Sequence, residues 1–208
     1  MNTTPPTVLE PFASRVHGAA AVAAPLLLLA STVAFATVGG GINDGVLGGT
    51  IGVWSCFAFV IALVGICRLL EPAAPRAAAL LTVLAVIGFS AGVAFNLQAV
   101  HLALFGEEVL ETPLEGADAV GILALLPWGL FAPLSLVLIG IALWRTRAVA
   151  RWSAALLALG GVLFVLSRPE RIEAFAVVAD LVLVLALAPI GRRMMTARRE
   201  AAVEERVP

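Results

Sequence analysis

The chain has 208 residues, 61% hydrophobic and 13% charged, with a formal net charge of −1 and a mean hydropathy of +1.04. A soluble domain carries about 25% charged residues, and the apolar residues here come in blocks near the roughly 20 residues that cross a bilayer core as a helix. The blocks are continuous Leu/Ala/Val runs, unlike the short alternating segments of a membrane barrel, so the expected fold is all-α: an integral membrane bundle.

The pattern predicts six transmembrane helices over residues 17–191, between a short N-terminal segment (1–16) and a tail (192–208). Span one covers His17–Val38. Pro25 interrupts its hydrogen bonding, close to Ser31 and Thr32. Arg15 and Ala34-Phe35-Ala36 resemble the flanks of a cleaved leader. The apolar run of about 20 residues exceeds the usual 7–15, however, so the span is expected to be retained. A Gly39-Gly40-Gly41 turn leads to span two, Thr50–Leu70. Span two holds Ser55 and both cysteines, Cys56 and Cys67. Eleven residues of helix separate the two sulfurs by about 16 Å, too far for a disulfide, and small buried hydrophobes is the plain reading.

Span three, Ala77–Phe105, carries Gly88 and Gly92, and Asn96 continues their spacing of four. Such a narrow stripe lets a neighbouring helix approach closely. Asn96 sits about 13 Å below the outer end of its helix. Gln98 and His101 share a face roughly opposite to Asn96. The following loop holds Glu107, Glu108, Glu111, Glu115 and Asp118 with no basic residue, so the outer surface is expected to be acidic.

Span four, Ala119–Trp144, contains Pro127-Trp128-Gly129 and Pro133. Two prolines within six residues predict a bend or break at mid-depth. Span five, Trp152–Ser167, is about 24 Å long and either tucks against its neighbours or thins the bilayer. Span six, Ile172–Gly191, carries Asp180 inside an otherwise apolar run, about 12 Å below its outer end. A carboxylate there costs several kcal/mol unless it is neutral, paired or hydrated, which makes it a functional candidate. Glu173, seven residues earlier, lies on the same face. Asp180 and Asn96 share a depth, so a direct hydrogen bond between them is geometrically open.

All 13 basic residues are Arg. Arg15, Arg68, Arg76, Arg145, Arg147, Arg151, Arg192, Arg193, Arg198, Arg199 and Arg206 fall on one side of the six spans; Arg168 and Arg171 fall on the other. The positive-inside rule then puts both termini in the cytoplasm. Trp144 and Trp152 flank that interface as an aromatic belt does. The Arg-only, Ala-rich composition suggests a bacterial plasma membrane. The tail mixes Arg with Glu200, Glu204 and Glu205 and reads as a helix end held near anionic headgroups.

Asp180, Asn96, Trp128, Ser31 and Ser55 all fall about 8–14 Å below the outer surface. With Glu173 above Asp180, the first four define a candidate polar pocket opening outward. No metal cluster, phosphate-binding loop or catalytic set is legible, so no cofactor, no metal and no catalytic residue is expected. His17 and His101 lie at opposite ends and cannot ligate one haem or metal. A weak parallel repeat at an offset of 75 pairs Leu63-Val64-Gly65-Ile66 with Leu138-Ile139-Gly140-Ile141, and Arg76 with Arg151.

The stretch Phe131–Phe164 has a glycine-bearing helix, an Arg-rich turn and an apolar return helix. It resembles the C-terminal half of small uncharacterised bacterial multi-pass membrane families. The resemblance covers a third of the chain and implies no activity. The leading expectation is a membrane protein that binds or translocates a small solute, cation or proton near Asp180. A non-catalytic partner or scaffold subunit is the first alternative, and a membrane enzyme using Asp180 as an acid on a lipophilic substrate the second. The expected partners are the lipid bilayer and a membrane protein or second copy of the chain; nucleic acid is excluded.

Overall fold

The computed structural model describes residues 11–106, 127–167 and 172–204, with side chains from 12–106, 129–167 and 172–196. It is all-helical over the named elements: α1 (Pro11–Thr37), α2 (Val46–Arg68), α3 (Pro75–Phe105), a π-helical turn (Pro127–Phe131), α4 (Ala132–Thr146), α5 (Arg151–Ser167) and α6 (Glu173–Glu204). The acidic loop, residues 119–126 of the expected fourth span, and Arg168, Glu170 and Arg171 lie outside the described residues.

Apolar sequence sets helix length and special backbone residues set the turns. Between α1 and α2 the chain reverses through Gly41 (φ 115°), Asn43 (φ 68°) and Gly45 (φ 153°). These are left-handed conformations that glycine, and less often asparagine, adopts at low cost. Pro75 starts α3 at a position where its missing N–H is no loss. Arg147, at φ 58°, ends α4 in a left-handed cap. Where two prolines predict a break in the fourth span, the structure has one wider π turn, with Pro133 in the α-helical turn that follows. Pro25 and Pro189, by contrast, lie inside α1 and α6 without ending them.

Among the described residues, five helices are long and apolar enough to cross a membrane: α1, α2, α3, the unit Gly129–Thr146, and α6 to Thr196. α5 has 17 residues, about 25 Å of helix, and is the short element expected from the sequence. α6 runs on past the expected end of the sixth span, so the tail begins as a continuation of that helix.

The main contacts pair each helix with its chain neighbours, and α6 returns to α1 to close the ring. Both chain ends therefore lie at one end of the bundle, called here the terminal end. At that end α1 and α6 cross at two glycines. A Cβ on Gly18 would lie 2.6 Å from the Gly191 carbonyl oxygen, and a Cβ on Gly191 would strike the Gly18 carbonyl in return. Ser14 Oγ donates to Met194 O (2.7 Å) beside this crossing.

Bulk is unevenly distributed along the bundle. Leu63, Ile66, Leu70, Ile139, Leu143 and Leu157 are wholly enclosed in the terminal half. At mid-depth Phe59 stacks on Phe89 with ring centroids 4.5 Å apart. Towards the far end, Phe35, Ile42 and Phe164 aside, buried positions are mostly small or polar: Ser31, Thr32, Ser55, Asn96, Ala132, Ala176, Ala179 and Asp180. Outward-facing positions are apolar too, among them Trp54, Leu80 and Leu185. A hydrocarbon solvent permits this, since it gives no reason to sort apolar side chains inward.

The expected parallel repeat does not extend to packing. Gly65 faces the His17 ring on α1, the helix before it, whereas Gly140 faces Ala154 and Ala158 on α5, the helix after it. A true copy would repeat the direction of contact.

Two stability outcomes follow. Gly191→Leu should destabilise the bundle by about 1–3 kcal/mol, the usual cost of overpacking, measured by unfolding in mixed micelles. Ser153 Oγ, buried in the first turn of α5, has no hydrogen-bond partner among the described residues. An orphaned buried hydroxyl costs about 1–3 kcal/mol, so Ser153→Ala should raise stability in the same measurement.

Candidate functional site

Asp180 projects from the third turn of α6 and has no solvent exposure. Thr32 Oγ1, on α1, donates to Asp180 Oδ2 at 2.5 Å, joining positions 148 residues apart. Thr32 is itself fully buried. Ser31 and Thr32 are adjacent, and on a helix adjacent side chains point about 100° apart. Ser31 accordingly turns the other way, towards α2, where its Oγ donates to Gly48 O at 2.7 Å.

Asn96 belongs with Ser31. Its amide donates to Gly92 O (2.8 Å) on its own helix and approaches Cys56 Sγ (3.6 Å) on α2. Its carboxamide oxygen lies against Gly52, where an added Cβ would overlap it and sit 3.1 Å from Ser31 Oγ. Gly52 is thus the place where α1, α2 and α3 bring their polar groups together, and only a residue without a side chain admits both. Ser55 Oγ, one turn along α2, donates to Ala24 O on α1 (3.0 Å). These bonds cross between helices, and the serine hydroxyls spend their donors on neighbouring backbone carbonyls.

The expected single cluster is therefore divided. Ser31 and Asn96 converge at Gly52, while Asp180 meets Thr32 between α1 and α6. The Asp180–Asn96 hydrogen bond is not formed, because the Asn96 amide is taken by Gly92 and Cys56. The glycine line of α3 divides as well. A Cβ on Gly88 would enter the backbone of Phe131 and Ala132, so Gly88 serves the contact with α4 while Asn96 serves α2.

Trp128 lies in the π turn, and its side chain is outside the described residues. Glu173 is exposed in the first turn of α6. Its Oε1 is 3.8 Å from where a Cβ on Gly41 would be, so it stands over the α1–α2 turn, two helical turns beyond Asp180. His101 is exposed with its ring 6.0 Å from Phe105. His17 Nδ1–H donates to Ile61 O (2.7 Å) at the terminal end. Among the described residues, no three His, Cys, Asp or Glu side chains gather as metal ligands.

The group that sequence reasoning did not assign to Asp180 is Thr32. Its signal was present, as a β-branched hydroxyl residue at matching depth on another span. Choosing it over Ser31 requires the rotation of α1 about its own axis.

No protein-family model, curated protein or solved structure matches the chain.

The Gly52 junction gives a direct test. Gly52→Ala should destabilise the protein by about 1–3 kcal/mol, and by clearly less when Asn96 is also Ala. A double-mutant cycle reads the difference as coupling, expected at about 0.5–3 kcal/mol for groups in contact. Strictly additive losses would mean that the two do not meet.

Proposed function

We propose that this is a six-span membrane protein with both termini in the cytoplasm, and that Asp180 is the group through which it binds or passes a proton or a small cation. The reading of orientation rests on the eleven Arg residues on the terminal side against Arg168 and Arg171 on the other. On the terminal side Arg151 lies over the Trp144 ring at 5.8 Å, an interfacial pairing of cation and aromatic.

The observation that carries the functional reading is the full burial of Asp180 against the Thr32 hydroxyl. An ionisable group at membrane depth marks an ion or proton site by default, because packing alone is cheaper with an apolar side chain. Complete enclosure narrows the occupant. A carboxyl with no exposed surface favours a proton or a bare small cation over a solute with its own hydration shell. The threonine hydroxyl both donates and accepts, so it can exchange its hydrogen-bond role when Asp180 gains or loses a proton. Glu173 stands on the same helix face two turns further out, where its carboxylate raises the local concentration of cations.

The second reading, a non-catalytic membrane partner subunit, is favoured by the other half of the expected pocket. Ser31, Ser55 and Asn96 bond to neighbouring helices and act as interhelical fastening.

Proteoliposomes carrying an imposed proton or sodium gradient distinguish the two. The wild type should dissipate one of them, and Asp180→Asn, close to isosteric, should slow that flux at least tenfold while eluting as a folded species. Thr32→Val should slow it less. Wild-type vesicles that hold both gradients, or an Asn variant with undiminished flux, would overturn the ion reading and leave the partner reading standing.

A further inference from the structure

An open surface groove of about 570 Å³ lies between the C-terminus of α2 and the N-terminus of α3, lined by Val64, Arg68, Glu71, Pro75, Ala79 and Thr82. Its volume is within the roughly 300–1,000 Å³ of ligand pockets. Its chemistry is graded along the helices. Arg68 is the last residue of α2, Glu71 sits in the turn, and Pro75 opens α3, so the charged rim is at the helix ends. Val64 lies one turn inside, and Thr82 is seven residues into α3, about 10 Å from the rim. Arg68 and Glu71 are both exposed. Among the described residues no ion pair joins them to each other or to a third group.

The turn that carries this rim is firmly built. Leu70 N donates to Cys67 O (2.9 Å), Glu71 N to Arg68 O (3.3 Å) and Ala74 N to Leu70 O (2.8 Å), while the Leu70 side chain is wholly buried. The two charges are thus held three residues apart over an apolar floor, at the level where a membrane-embedded α2 and α3 would meet the headgroups.

We propose that this groove is a binding site for a single phospholipid with a zwitterionic aminophosphate headgroup, of the phosphatidylethanolamine type. The guanidinium of Arg68 takes the phosphate, the Glu71 carboxylate takes the primary ammonium, and the glycerol and first acyl carbons lie along Val64, Ala79 and Thr82. Charge complementarity selects this occupant. A phosphatidylglycerol headgroup offers Glu71 only neutral hydroxyls and leaves its charge unmatched, and a choline headgroup has no N–H to give it. The inference rests on the membrane reading of α2 and α3 and is independent of Asp180.

The full-length protein, equilibrated in micelles containing equal phosphatidylethanolamine, phosphatidylcholine and phosphatidylglycerol, tests this by native mass spectrometry of the retained lipid. The wild type should retain the ethanolamine lipid several-fold over both others. Glu71→Gln should bring ethanolamine and choline lipids to parity, and Arg68→Gln should reduce retention of both. Each replaces an exposed residue, and unchanged thermal unfolding confirms that the fold is intact. Equal retention of the three lipids by the wild type would overturn the site. So would a preference for the glycerol lipid, which would mark a general attraction to Arg68, or a Glu71→Gln variant indistinguishable from wild type.

Discussion

The bundle depends on the contact between its first and last helices. α1 and α6 are fastened at both ends by different means. At the terminal end Gly18 and Gly191 let the backbones touch, with Ser14 bonded to Met194 O. Towards the far end the fastening is the Thr32–Asp180 hydrogen bond. Glycine contact gains dispersion and weak C–H···O attraction but has little directional preference. The buried carboxyl is directional and expensive to leave without its partner. Together they fix both the distance between α1 and α6 and their rotation. The other helices follow in chain order, so the closing contact sets the circumference of the ring.

A hydrocarbon solvent explains why polar groups are shared out as they are. Backbone groups are satisfied within each helix, so side-chain hydroxyls and amides at depth look for spare carbonyl lone pairs on neighbours. Ser31, Ser55 and His17 each find one on an adjacent helix. Asn96 needs more and obtains it by lying against Gly52 with Cys56 beside it. The glycine-rich face of α2 (Gly48, Gly49, Gly52) is what brings α1 and α3 close enough for these bonds. Asp180 stands apart, because a carboxyl offers acceptors and needs donors that neighbouring backbones in hydrocarbon do not have to spare. A hydroxyl such as that of Thr32 is one of the few donors available at that depth.

Much of this fold was legible in the sequence, and the boundary of what was legible has a physical cause. Block length and Gly/Pro punctuation marked α1, α2 and α3, with α3 within two residues but the starts of α1 and α2 six and four residues late, and the proline pair marked the disturbed turn at Pro127. The short α5 was also readable from its length. Which residues would meet was less so. A helix that is apolar on every face has almost no preferred direction in its pattern, and the outward positions here are as apolar as the inward ones. The position of Asp180, Asn96 and Ser31 along each helix was therefore readable, whereas the azimuth of each was not. That missing angle is why one expected pocket resolves into a Ser31–Asn96 junction at Gly52 and an Asp180–Thr32 pair on the other flank of α1.

The same geometry separates the two proposed sites. Asp180 belongs to the α1–α6 contact towards the far end, while Arg68 and Glu71 belong to the α2–α3 turn at the terminal end, with the large enclosed side chains Leu63, Ile66 and Leu70 between. A lipid held at that turn bears on the spacing of α2 and α3 and so on the Gly52 junction further along the same pair of helices. α1 is the shorter of the two ways round the ring from that turn to α6, and its hydrogen bonds with α2 involve Ser31, Ser55 and His17. α1 presents Ser31 to α2 and Thr32 to α6 from consecutive positions. Any rotation of α1 that loosened the first bond would turn the second as well.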